Sequence, residues 1–341
     1  MKVRVGSSRR PGSRGPVGTK RALPRVLCIV GPTSSGKTSL GIRLAKRFKG
    51  EVINADARQV FQSFDIGTGK PIGGKRTAIG SRKMYLYEDV PHYLMDFLPP
   101  DKSITVAEWQ DKAMVAVKGI SSRKKLPIVV GGTGLYVQAL VDNYVIPSLA
   151  PQPEFRKAME TKPLAELVKL LLRADPDAKE QVDLKNPRRV LRALEVSTFT
   201  GRPFTQQKVS ANPVIDPFMI AIKREREDVR ARIDSSVEAY IEAGWLDEIR
   251  AVRAKGVPWD APAMTSIGYR ELGGYLRGEC TLDEAVKKTK EATWHYAKRQ
   301  LTWFKRDQRI HWVKDEAEAE ACVEAWLANK KPPLASAEAA A

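Results

Sequence analysis

Apolar and polar positions along the chain sort into short continuous runs and longer stretches of helical spacing. Arg25 to Val30 is a run of the first kind, and it opens directly into GPTSSGKTSLGIRLAKRF, a glycine-bearing loop followed by a helical pattern. A second run, Glu51 to Asn54, stops just before Asp56, and a third, Lys125 to Val130, ends in GGTGLY. Three short runs with crossovers between them predict a parallel sheet covered by helices on both faces. The second strand is expected beside the first, which would bring Asp56 near the glycine-bearing loop. Between the second and third runs, Val106, Trp109, Ala113 and Val117 recur at helical spacing, with Ser103 or Thr105 placed to cap that helix.

From about Pro147 to Pro217 the pattern is helical, without strand-like alternation of useful length. An apolar run then returns at Phe218 to Ile222, with the length and position of another strand of the main sheet. Amphipathic helices are expected over 224–255 and 281–304, and an Ala- and Glu-rich tail begins near Asp315. The organisation read from this is a disordered basic arm over 1–24 and a core in two parts, 25–146 and 218–314. A helical insertion domain over 147–217 interrupts the core, and a tail over 315–341 ends the chain with its last ten or so residues disordered. The fold class expected is α/β, a P-loop NTPase-like parallel sheet with helices on both faces plus that insertion.

Charge narrows the partners. Lys and Arg total 58 against 40 Asp and Glu, a net +18 over 341 residues, which sets up a long-range field attractive to a polyanion. Cys28, Cys280 and Cys322 are scattered and only three histidines occur, so neither a disulfide framework nor a protein-held transition metal is expected. No apolar stretch reaches transmembrane length, and the expectation is a soluble, cytoplasmic protein.

Gly31-Pro-Thr33-Ser34-Ser35-Gly36-Lys37-Thr38 fits G-x-x-x-x-G-K-[ST] in a strand-to-helix context. Such a loop binds phosphate: backbone N–H groups and the helix terminus form an anion nest, Lys37 reaches the phosphates and the Thr38 hydroxyl suits Mg2+. Most such loops hold ATP or GTP. Here the third strand ends IVVGGT without the carboxylate that nucleoside triphosphatases use, although Asp96, after the apolar YLM, could stand in. Asp56 is a candidate general base or an acceptor for an exocyclic amine, against the plainer role of a turn aspartate. Asp65 reads as a loop organiser. Gly131, Gly132 and Gly134 form a tight turn that offers the Thr133 hydroxyl to a substrate or simply starts a packed helix. Arg188, Arg189 and Arg192 fall at helical spacing, and Lys298, Arg299, Lys305 and Arg306 interleave with Trp294, Tyr296, Trp303 and Phe304. Arginines beside flat rings suit phosphates and unpaired bases, while the aromatics alone would read as core.

Together these segments resemble the bacterial tRNA dimethylallyltransferase family. The resemblance runs from Leu27 to about Trp312 and rests on GPTSSGKT, INADARQVFQSFDIGTGKP, HYLMD, IVVGGTGLY, NPRRVLRALEV, IGYREL and YAKRQLTWFKRD. It implies transfer of a dimethylallyl group from dimethylallyl diphosphate to N6 of the adenosine 3′ of the anticodon, position 37 of tRNA. Under that resemblance Gly31, Thr33, Ser34, Ser35, Gly36, Lys37 and Thr38 hold the diphosphate, with Mg2+ at Thr38. Asp56 activates the amine, Thr133 meets the target base, Gln59 and Asp65 follow along the pocket, and Arg224 contacts diphosphate or substrate. The insertion with Arg188, Arg189 and Arg192, and the helix with Lys298 and Arg299, would grip the anticodon stem-loop. No obligate protein partner is implied, and a monomer is expected. The chain departs from the family's usual residues at Ala57, Arg58, Phe61 and Gly69. Three other readings stay open at this point: a prenyltransferase acting on AMP or ATP, a nucleic-acid-binding module without catalysis, and a generic nucleotide kinase.

Overall fold

The four apolar runs are strands. In the computed structural model, which describes residues 22–80, 82–145, 149, 151–207 and 209–332, they lie in an eight-stranded sheet. The disordered arm expected over 1–24 falls, but for residues 22–24, outside the described residues, as does the chain end from 333. The strands in chain order are β1 (Arg25–Val30), β2 (Gly50–Asn54), β3 (Lys75–Ile79), β4 (Arg82–Tyr87), β5 (Val90–Tyr93) and β6 (Leu126–Gly131). A separate two-stranded ribbon pairs β7 (Tyr144–Val145) with β8 (Val209–Ser210), and β9 (Asp216–Ile222) and β10 (Ile310–Val313) complete the main sheet.

Across that sheet the order is β10-β9-β1-β6-β2-β5-β4-β3. Pairing is parallel from β10 to β5 but antiparallel from β5 through β4 to β3, so the sheet expected as parallel is mixed. The cause is local. Glu88 and Asp89, between β4 and β5, both have positive φ (47° and 62°), the conformation of a tight two-residue hairpin, and a hairpin can only join antiparallel neighbours. A second correction concerns neighbours: β6 lies between β1 and β2, which therefore do not pair. All six residues of β6, LPIVVG, are buried, and a run apolar on both faces belongs in the middle of a parallel sheet.

Helices cover both faces. On one, α1 (Lys37–Arg47) packs Leu40 and Leu44 against Ile29, Ile128 and Ile220. On the other, α2 (Val106–Ser122) and α3 (Gly134–Val141) bring Trp109, Val117 and Leu140 against Val26, Val30 and Val129. Each fully buried aliphatic side chain in these layers is worth about 1.5–3 kcal/mol relative to exposure. Thr105 caps α2 in a reciprocal box with Glu108.

The helical stretch after β7 comprises α4 (Pro153–Glu160), α5 (Leu164–Ala174), α6 (Ala178–Gln181) and α7 (Pro187–Thr200), which share a small apolar cluster including Leu171, Val190 and Leu194. Glu195 lies fully buried there. Burial alone would raise its carboxyl, but hydrogen bonds from Arg156, the Gln152 N–H and Arg192 hold it at about 2.

The long helix expected over 224–255 is two, α8 (Arg226–Glu242) and α9 (Trp245–Ala254), broken where Gly244 takes φ 93°. With α10 (Tyr269–Leu276) and α11 (Leu282–Phe304) they enclose a third cluster around Trp245, Tyr269 and Phe64. The start of the Ala- and Glu-rich tail is a helix, α12 (Glu316–Leu327), which buries Ala319, Cys322 and Val323 against the α1 face of the sheet.

Candidate active site

At the carboxyl end of β1 the chain turns through residues 31–36 into α1. Ser34 and Gly36 both adopt left-handed backbone (φ 59° and 93°), an alternation that curls successive N–H groups into an anion nest. Lys37 opens the helix, and its ammonium donates to the Pro32 carbonyl at 3.0 Å. Burial lowers the Lys37 pKa and the Asp56 carboxylate acts against that shift, so the two charges sense one another across the site. The Ser35 hydroxyl, 1% exposed, has no hydrogen-bond partner among the described residues. Arg224, two residues past β9, reaches the same loop: its Nε donates to the Ser35 carbonyl at 3.5 Å and lies 3.7 Å from the Asp228 carboxylate.

Asp56 follows β2 and is held by a residue the motif reading passed over. The buried Asn54 side chain accepts from the Asp56 N–H at 3.0 Å and donates to the carbonyls of Asp56 and Leu94 at 3.1 and 2.9 Å. The Asp56 carboxylate accepts the Arg58 N–H at 2.8 Å. Thr133 comes from the end of β6. It sits at the start of α3 without making a side-chain cap; its hydroxyl accepts the Ala57 N–H at 3.0 Å and shares a hydrogen bond with Tyr296. Burial, then the Asp56 carboxylate, raise the Tyr296 phenol, which stays neutral and able to donate.

These groups face one another although β1 and β2 are not neighbours. Lys37, Thr38, Asn54, Asp56, His92 and Gly131 line a narrow crevice between the strand ends. It adjoins an open cleft of about 1320 Å³ that also takes in Gln59, Thr133 and Tyr296. Arg58, Arg188, Arg232, Arg270 and Arg299 stand on the walls of that cleft, drawn from the β2 loop and from α7, α8, α10 and α11.

Other residues singled out from sequence have partners of their own. Gln59 donates to the Thr68 and Gly69 carbonyls at 3.2 and 3.0 Å. The Asp65 carboxylate accepts from Lys70 at 2.7 Å, while its backbone N–H is taken by Glu248. Asp96 pairs with Lys70 and Arg76 and is 5% exposed. Arg189 lies 3.6 Å from Asp183, and Arg192 bonds Glu195 and the Leu149 carbonyl, so of the three arginines only Arg188 lines the cleft. Lys298 and Arg299 lie over the rings of Trp294 and Tyr296. Phe304 is core, whereas Trp303 is 37% exposed with its ring against Gly134.

The sequence matches the IPP transferase family model over residues 59–307, well over half of the chain, and a second model, isopentenyl transferase, over 24–91. It is 40% identical to the tRNA dimethylallyltransferase of Roseiflexus sp. (strain RS-1) over 82% of this chain and 90% of that one. The chain belongs to the IPP transferase family. A second relative with the same name, from Shouchella clausii, is 41% identical to this IPP transferase over 89% of the chain and 97% of its own length. Among solved structures, the tRNA isopentenylpyrophosphate transferase of Bacillus halodurans superposes with a TM-score of 0.64 at 32% identity, covering 90% of this chain and 96% of that one.

Proposed function

We propose that this IPP transferase moves a dimethylallyl group from dimethylallyl diphosphate to N6 of the adenosine 3′ of the anticodon, position 37, in tRNA. Transfer of that group to a tRNA adenosine follows from family membership. The observation that carries the finer reading is the convergence of Lys37, Thr38, Asp56 and Thr133 on one arginine-walled cleft. The loop after β1 receives the diphosphate, and the core is accordingly read as P-loop NTPase-like. Thr133 and Asp56 receive the adenine, turned out of its stack so that N6 faces the loop. The arginines of the cleft, with Lys298 nearby on α11, hold the anticodon stem-loop, and one chain supplies every group the reaction uses.

N6 attacks C1 of the allylic group, the N–C bond forms as the C1–O bond breaks, and the electron pair leaves on the diphosphate. Asp56 accepts the N6 proton through a carboxylate that Asn54 and the Arg58 N–H keep aimed. Lys37, Arg224 and the loop N–H groups meet the charge that accumulates on the departing oxygens. Mg2+ suits the Thr38 hydroxyl: a single protein ligand is usual for an ion that keeps waters and binds substrate phosphates. No cluster of three or more His, Cys, Asp or Glu fit for a metal occurs among the described residues. Bound there, Mg2+ would neutralise diphosphate charge.

The test is transfer from dimethylallyl diphosphate with Mg2+, read by mass spectrometry, to an unmodified anticodon stem-loop, to the same loop with its target adenosine replaced, and to AMP. Modification of the intact loop alone is expected. Equal or greater transfer to AMP, or to the loop lacking the target, would overturn the reading.

A further inference from the structure

Gln300 occupies a position that the reaction as described does not use. It lies in α11, a helix whose neighbouring residues Tyr296 and Arg299 face the cleft, yet its own side chain is turned inward and is 5% exposed. Its Oε1 accepts the Thr33 N–H of the phosphate loop at 2.9 Å, and its Nε2 donates to the Gly132 carbonyl at 2.8 Å. One amide thus spans the two loops that follow β1 and β6. Both bonds are directional: a backbone N–H can only donate and a carbonyl can only accept, so the bridging group must carry one acceptor and one donor in fixed positions. A carboxylate lacks the donor and an ammonium lacks the acceptor. The fit is close as well, since a Cβ on Gly132 would come within 2.1 Å of Nε2.

What the bridge spans gives it meaning. Thr33 belongs to the loop read above as the diphosphate site, and Gly132 precedes Thr133, whose hydroxyl holds the Ala57 N–H beside Asp56. We infer that Gln300 is a positioning residue that sets the separation between the leaving group and the adenine amine, an inference that rests on the proposed reaction. It touches neither substrate. Its contribution is to keep nucleophile, C1 and departing oxygen in line, and displacements of about 1 Å in such an arrangement cost on the order of 100-fold in rate.

Two substitutions in the full-length protein test this. Gln300→Met preserves volume and removes both bonds; Gln300→Glu keeps the acceptor for Thr33 and places an oxygen against the Gly132 carbonyl. For Gln300→Met, kcat falls on the order of 100-fold while KM for dimethylallyl diphosphate and for the stem-loop stay within about threefold. Gln300→Glu is impaired at pH 8 and recovers as pH falls toward 6, because its buried carboxyl, when protonated, again offers one donor and one acceptor. The nearby titratable groups Lys37, Asp56, Tyr296, Lys298 and Arg299 are common to both proteins, so activity is read as the ratio of variant to unsubstituted enzyme at each pH. The Met variant shows no such recovery. A kcat within about threefold of the parent for Gln300→Met, or a loss confined to KM, overturns the inference. A pH-independent ratio for Gln300→Glu overturns it too, and remains measurable if the Met variant does not fold. Failure of the unsubstituted protein to transfer the group to the stem-loop would instead overturn the reaction on which the inference rests.

Discussion

Asp56 was legible as a chemical group from its place after an apolar run; what keeps it aimed was not. Asn54 and Gln300 are amides inside a strand and a helix, positions where the sequence carries no sign that a side chain is spanning loops. Asp56→Asn preserves an acceptor for the Arg58 N–H and removes the base. It is expected to lower kcat by roughly 100- to 10,000-fold, with stem-loop affinity within about threefold, checked by steady-state transfer and fluorescence titration. His92, in the crevice below Asp56, gives a pH prediction. It is buried beside the Val90 carbonyl, and burial pushes its pKa down to about 4. The folded protein keeps it neutral while the unfolded chain protonates near 6.5, so stability is lost as pH falls from about 6.5 to 4, by about 3 kcal/mol at the lower end. Urea unfolding across that range should show the loss, and His92→Phe should flatten it.

At the scale of elements, β1, β6 and β9 were readable because burial on both faces makes them nearly continuous apolar runs, and β2 was readable from Val52 and Ile53 between its buried Glu51 and Asn54. The strands that escaped notice lie toward the two ends of the sheet. β3 and β4 carry lysines and arginines among their apolar residues, and β5 and β10 are only four residues long, so none of them resembles a core run. The break between α8 and α9 was also hidden, because one glycine in a helical pattern is compatible with a continuous helix. The α4 to α7 bundle depends on a buried ion group more than its small apolar cluster implies. Glu195→Gln keeps the shape but weakens its hydrogen bonds to Arg156 and Arg192, both about a third exposed, and should destabilise those helices by about 1–3 kcal/mol. Hydrogen exchange should show faster opening over 153–206 with the sheet unaffected.

For the molecule as a whole, the +18 charge read from composition has a spatial counterpart in five arginines around one cleft. Stem-loop affinity should therefore fall steeply with salt, with a log–log slope of about −3 to −4 if each arginine meets one phosphate of a single-stranded segment. Replacing Arg188, Arg232 or Arg270 by Gln should each reduce that slope by about 0.7, measured by titration at a series of KCl concentrations. Sequence reading placed the second strand beside the first, whereas the sheet inserts β6, buried on both faces, between them. With β6 between them, the loop after β1 and the aspartate after β2 stand two strand spacings apart, about 9–10 Å. The intervening strand ends in Gly131, where even a methyl group would strike the Ala55 backbone, so the chain ends of β2 and β6 approach closely there. The sheet itself is then a ruler. Adjacent strands would set a phosphate oxygen against a carboxylate, whereas the proposed transfer calls for the wider interval, with a five-carbon unit between its leaving group and its acceptor.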